Sequence, residues 1–147
     1  MKAGGKGGSS GELEESKPIQ VFDFDVSTPV DVKKGIEQLG GNPMLFYMML
    51  EKFEGMNFMN TLQDMAQDVE NQDYANFKQN AHSIKGSAGY ICASRLHYAC
   101  YFIQEHYLAK RYKEEMEYYP TLLEAAVEFR VYSRQLLADY NSNLIFN

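Results

Sequence analysis

The chemistry of this chain is concentrated in the stretch AHSIKGSAGYICASRL, where His82, Lys85, Gly86 and Ser87 stand close together. An imidazole is a good nucleophile near neutral pH, where much of the ring is unprotonated. Lys85, three residues on, shares a helix side with His82 and can bring an ammonium to whatever the ring carries. The surrounding pattern supports a helix from about Asp73 to Ile91. Tyr74, Phe77, Ala81, Ile84, Ala88 and Ile91 recur at spacings of three and four, giving one apolar stripe for a core. Ala75, Lys78, His82, Gly86 and Gly89 form a second stripe, which puts the His82 ring in water. Glycine inside a helix costs about 1 kcal/mol relative to alanine. Two glycines on the histidine side therefore predict space kept clear for a large partner.

The same residues resemble the signature of the histidine-containing phosphotransfer (HPt) domain. His82, Lys85, Gly86, Ser87, Ala88 and Ala93 match that pattern, as does Leu96 beyond it. Ile84 replaces the usual leucine, and Cys92 stands where the family has glycine, so the following turn is expected to be built differently. The resemblance extends from about Thr28 into the last helix. It implies a phosphoryl carrier of multistep two-component phosphorelays, with no autonomous kinase activity. His82 would accept a phosphoryl group from a receiver-domain aspartate and pass it to another, with Lys85 offsetting the added charge. The implied partners are the receiver domain of a hybrid sensor histidine kinase and that of a response regulator. The receiver would supply Mg2+ and the aspartate, and the carrier would hold no cofactor stably. The implied carrier is a monomer, cytoplasmic and also nuclear in a eukaryote.

The docking surface is expected around His82 on Ala75, Lys78, Gln79, Gly86 and Gly89, with Met44, Tyr47 and Met48 adding apolar contact. Ser87 has a supporting role, orienting nearby groups or bonding four residues back. Two other classes compete. A noncatalytic helical adaptor, or pseudo-phosphotransfer protein, would bind receivers without taking phosphate. A hydrolase using His82 as base would need a concave site and a paired group. His97 and His106 lie too far apart for a helical ligand pair and read as ordinary packing or surface residues, so no metal site is expected.

With 147 residues the chain is long enough for one domain with a sizeable core. A formal charge of -6 without a basic cluster argues against nucleic acid as partner. Cys92 and Cys100 form no CxxC motif and read as buried free thiols of a cytosolic protein. No stretch has the length of a membrane span, and the glycine-rich start lacks a signal-peptide core.

The fold these residues require is all-α. Residues 1–16 read as a disordered tail and 17–147 as the helical domain, entered by an apolar arm, IQVFDFDV. A short N-terminal helix should be capped by Thr28, with Pro29 first, Asp31 third and Val32, Ile36 and Leu39 inward. Gly40-Gly41 stops it, and Asn42-Pro43 starts a helix running to about Gln72, with Gly55 a weak point. Asp73 caps the His82 helix. Gly89 and the Cys92-Ala93-Ser94 turn end it, with Ser94 capping a fourth helix that faces inward through Leu96, Ala99, Cys100, Ile103 and Tyr107. Residues 112–119 are ambiguous. From Pro120 to about Tyr140 the pattern is helical again, with Leu123, Val127 and Leu137 inward and a frayed end beyond. Substantial helices with short connections predict an antiparallel four-helix bundle plus the short N-terminal helix.

Overall fold

The computed structural model describes residues 26–146. The expectations for residues 1–16, and for the apolar arm before Val26, lie outside these residues. The first helix, α1 (Val32–Gln38), begins later than its start signal suggests. Asp31 is the cap, its Oδ1 accepting from Lys34 N at 3.1 Å, while the Thr28 hydroxyl donates to Val30 O. Val30 is buried, and placing it in the core keeps Pro29 and Val30 outside the helix. Gly40 and Gly41 then take φ +78, a left-handed turn that suits glycine.

Asn42 caps α2 (Pro43–Phe53), and α3 (Met56–Asn71) follows after a break at Glu54-Gly55. Arg130 and Arg134 brace that break, each reaching the Glu54 carboxylate, at 3.2 and 2.9 Å. Next come α4 (Tyr74–Tyr90), capped by Asp73, and α5 (Ser94–Leu108). Ala93, not Ser94, is the residue before α5. Ser94 is buried in the first turn and its hydroxyl donates to Thr28 O, tying down the entry segment. The ambiguous stretch resolves into α6 (Tyr112–Glu117), followed by α7 (Tyr119–Phe146).

The phase of α7 differs from the one read in the sequence. Leu123 and Val127 are exposed, and the buried residues are Leu122, Ala125, Ala126, Phe129 and Ser133. Tyr119 sets this phase, packing edge-on against Phe77 and donating its hydroxyl to Leu62 O. Leu137 is half-buried against the core, and the helix continues through Asn141-Ser142-Asn143 instead of fraying there.

Counting each bent pair, α2/α3 and α6/α7, as one helix, the described residues form a four-helix bundle plus α1, without a strand. Around the bundle α3 packs on α4, α4 on α5, α5 on α7 and α7 on α2. Phe46, Leu50, Met65, Phe77, Leu96, Ile103, Leu122 and Phe129 form its closed interior. No helix among the described residues is long and apolar enough to cross a membrane.

α1 closes one end of the bundle. Gln38 Nε2 donates to Gly89 O and Tyr90 O, adding a side-chain donor to carbonyls of the last turn of α4. Gly35 is buried against the Phe46 ring, where an added methyl group would collide with ring carbons. Gly35→Ala is expected to destabilise the fold by about 1–3 kcal/mol in a urea titration.

Candidate functional site

The orientation of His82 follows from what α4 buries. Phe77, Ala81, Ile84 and Ala88 point into the core, and Ile91 at the cap continues the row. A second lock acts on the α3 side, where Asp68, 5% exposed, accepts from Asn76 Nδ2 at 2.7 Å and Asn80 Nδ2 at 2.8 Å. Held on both sides, the helix cannot rotate, and His82 stands exposed.

On its other side α4 meets α5 in an antiparallel row. Lys78 Nζ lies 5.2 Å from the centre of the Tyr107 ring, and Lys85 Nζ lies 5.8 Å from that of Tyr101. Between them the Gln104 carboxamide lies 2.9 Å from His82 Nδ1. Gln104 is a site residue that the sequence reading missed. The available signal was a polar residue at the α4-facing edge of α5, beside inward Ile103.

The Gln104 contact occupies Nδ1, and the orientation of its carboxamide goes with the tautomer of the ring. With the amide nitrogen toward Nδ1, Gln104 Oε1 is buried without a partner. Turning the carboxamide over places Oε1 on Nδ1, where it accepts from Nδ1–H. That tautomer leaves the lone pair on Nε2, across the ring from α5. The first orientation instead suits a ring whose Nε2 is occupied and whose Nδ1 accepts. One side chain thus serves both states of the imidazole. Gln104→Leu is expected to slow phosphoryl acceptance about three- to tenfold with the fold retained, read from labelling time courses.

The other predicted residues fall into three groups. Gly86 faces open space, with nothing within 4 Å of where a Cβ would stand, and Ala75 and Gln79 are exposed beside it. Gly89 is different: its bare side looks at the His97 ring, 3.6 Å from an added Cβ. Met44 and Met48 are exposed, whereas Tyr47 is half-buried and stacks on Tyr140 of α7 at 4.1 Å. The α2 residues that share a cavity with α4 are Met49, Lys52 and Phe53, facing Ser83, Ser87 and Tyr90. Ser87 therefore lies on the α3 side of the helix, away from Gln104.

The remaining histidines are engaged elsewhere. His97 is buried, its Nδ1 lies 3.2 Å from Lys85 O, and burial lowers its pKa. His106 accepts at Nδ1 from Arg111 Nε, and burial with the nearby Arg111 charge lowers its pKa as well. Among the described residues no three His, Cys, Asp or Glu side chains come together as a metal site.

Cys92 takes φ +55 at the turn after α4, a conformation that glycine adopts without the Cβ clash. Its backbone N–H reaches Gly89 O and its carbonyl accepts from Asp31 N, so the turn closes around cysteine. Cys92 and Cys100 are both buried free thiols, and burial pushes Cys92 to about 11.

The described residues thus form a helical bundle that presents an exposed imidazole, His82, with Gln104 at its Nδ1 and Lys85 three residues on. The family model of the Hpt domain matches residues 49–141, covering the bent α2/α3 helix from Met49, α4, α5 and most of α7. The chain belongs to the Hpt domain family. It is a histidine phosphotransfer carrier working between receiver domains, not an autonomous kinase. No curated protein and no solved structure matches the chain.

Proposed function

We propose that His82 is the residue on which this carrier takes up its phosphoryl group. The carrying observation is the exposed ring with Nδ1 occupied by Gln104, which directs Nε2 to an incoming partner. In the transfer the Nε2 lone pair forms a bond to phosphorus as the aspartyl acyl phosphate breaks at its P–O bond. The bonding pair leaves with the aspartate carboxylate, the Nδ1 proton passes to solvent, and the Gln104 amide turns to donate to Nδ1. The reverse step hands the group to a second aspartate. Lys85 neutralises part of the charge, its ammonium lying over the Tyr101 ring.

The donor in this reading is the receiver domain of a hybrid sensor kinase, and the acceptor that of a response regulator. Both approach over the bare surface at Gly86, with Ala75 and Gln79 at its edge. In-line transfer requires charge neutralisation at the phosphoryl oxygens, which the receiver's metal supplies. The test is incubation with a phosphorylated receiver followed by mapping of the modified residue. Acid-labile, base-stable phosphate on His82 supports the assignment. A folded chain that binds the receiver but takes no phosphate favours the adaptor reading.

A further inference from the structure

The apolar arm IQVFDFDV plays no part in the phosphoryl site, and the segment that follows it shows where it arrives. From Asp31 back to Val26 the chain is pinned step by step along the start of α5. Asp31 N donates to Cys92 O at 2.9 Å, and Thr28 O accepts from Ser94 Oγ at 3.3 Å. Arg95 takes the next two carbonyls, its Nη2 donating to Ser27 O at 2.9 Å and its Nε to Val26 O at 3.2 Å. Its Nη1 pairs with the Glu128 carboxylate of α7 at 2.9 Å. One guanidinium thus hands the chain from α5 to α7. Val26, the first described residue, stands beside the middle of α7.

That part of α7 carries an apolar stripe on its outer side. Leu123, Val127 and Val131 recur every four residues and are all exposed, Val127 at 63% and Val131 at 68%. Single exposed hydrophobic side chains are ordinary, but three in a row along a helix make a continuous patch. Glu128 follows Val127 directly and precedes Val131 by three residues, so the stripe lies where the chain arrives. The pattern of the arm matches it. In an extended segment Phe22, Phe24 and Val26 fall on one side at steps of about 6.6 Å, with Asp23 and Asp25 on the other. Residues four apart on a helix rise about 6 Å, nearly the same step. Val26, the last of the three, is itself exposed.

We propose that the outer face of α7 is a docking surface for this chain's own residues 19–25, with Phe24 against Val131 and Phe22 against Val127. Asp23 and Asp25 then face water. An extended stretch of this length spans about 23 Å, enough to run past Leu123, which lies about 12 Å from Val131 along the helix. Burial of the two phenylalanines and the two valines drives the contact. α7 packs on α5 and α2 and stands across the bundle from α4, so the covered face is remote from His82. The arm closes an apolar surface against self-association and leaves the phosphoryl site open to its partners.

The experiment places a photoreactive benzoylphenylalanine at Phe22 in the full chain and irradiates the dilute protein. The expected product is a chain crosslinked to itself, with the link mapped by mass spectrometry to α7 between residues 123 and 131. Val127→Asp combined with Val131→Asp should reduce that product to background, because it removes the apolar contact and sets carboxylates against an acidic arm. Both positions are exposed, so circular dichroism should show the fold retained, and labelling by a phosphorylated receiver should be unchanged. Links mapped to another face, such as α2 at Met44 or Met48, overturn the proposal, as does the absence of any link. Links joining two chains overturn it as well, since a second copy then covers the stripe. So does a yield that the aspartate pair leaves unchanged, or a folded aspartate variant that no longer takes phosphate. If the aspartate variant does not fold, the position of the link in the wild-type background decides alone.

Discussion

His82→Gln is expected to fold like the wild type and to take no phosphate from a phosphorylated receiver. The ring is exposed and its one polar contact is to Gln104, so its removal leaves no core void. Surface changes of this kind usually stay within about 0.5 kcal/mol. The chemistry, by contrast, is lost entirely, because an amide nitrogen is a poor nucleophile. Lys85→Ala should separate from it by retaining the acceptor while slowing transfer or shortening the phosphate lifetime. A partly exposed charge-assisted contact is worth about 1–3 kcal/mol, which corresponds to roughly one to two powers of ten in rate. His97→Gln should keep the acceptor and lose stability, since that ring is buried between Lys85 O and Gly89. Labelling time courses with one receiver, paired with circular dichroism, distinguish these outcomes. Wild-type labelling of folded His82→Gln refutes the assignment, and unchanged kinetics in Lys85→Ala refute only the lysine's role.

The site was legible where a single helix determined it. The stripe Phe77, Ala81, Ile84, Ala88 both builds the core and turns His82 outward, so one periodicity carries both facts. Caps with strong side-chain chemistry, Asn42 and Asp73, were also readable. What escaped depends on packing between helices. Gln104 lies twenty-two residues from His82, and only the antiparallel register of α4 and α5 brings them together. Gly89 has the sequence appearance of a cleared surface, yet it is the neighbour of His97. In α7 adjacent leucines at 122 and 123 fit either phase, and the Tyr119 contact with α3 and α4 chooses between them. Tyr47 shared an apolar run with the methionines but found its partner on α7, at Tyr140.

Glu115 was not readable at all, and it carries the largest expected effect on stability. In sequence it sits in KEEME, an apparently solvated charge run, yet it is fully buried without a hydrogen bond. Burial raises its carboxyl from the ordinary 4.5 to about 7, with the charge of Lys78 limiting the rise. The unfolded chain thus releases this proton near the lower value and the folded chain near the higher one. Between them the folded state binds more protons, so the Glu115 contribution makes stability fall as pH rises through that window. It is favourable or neutral below the window and fully unfavourable above it, by on the order of 3 kcal/mol. His97 and His106, whose pKa values burial lowers, give a slope of opposite sign nearby, so the informative quantity is a difference between variants. Glu115→Gln is expected to match the wild type at about pH 4.5, where both side chains are neutral and alike in shape. At about pH 8 it should be the more stable protein by about 2–3 kcal/mol in urea titrations. A difference that does not vary with pH would mean that the carboxyl ionises in the folded protein as it does in water. Adding Lys78→Ala should move the midpoint of the wild-type profile to higher pH, because the ammonium on α4 is the charge that favours the ionised form.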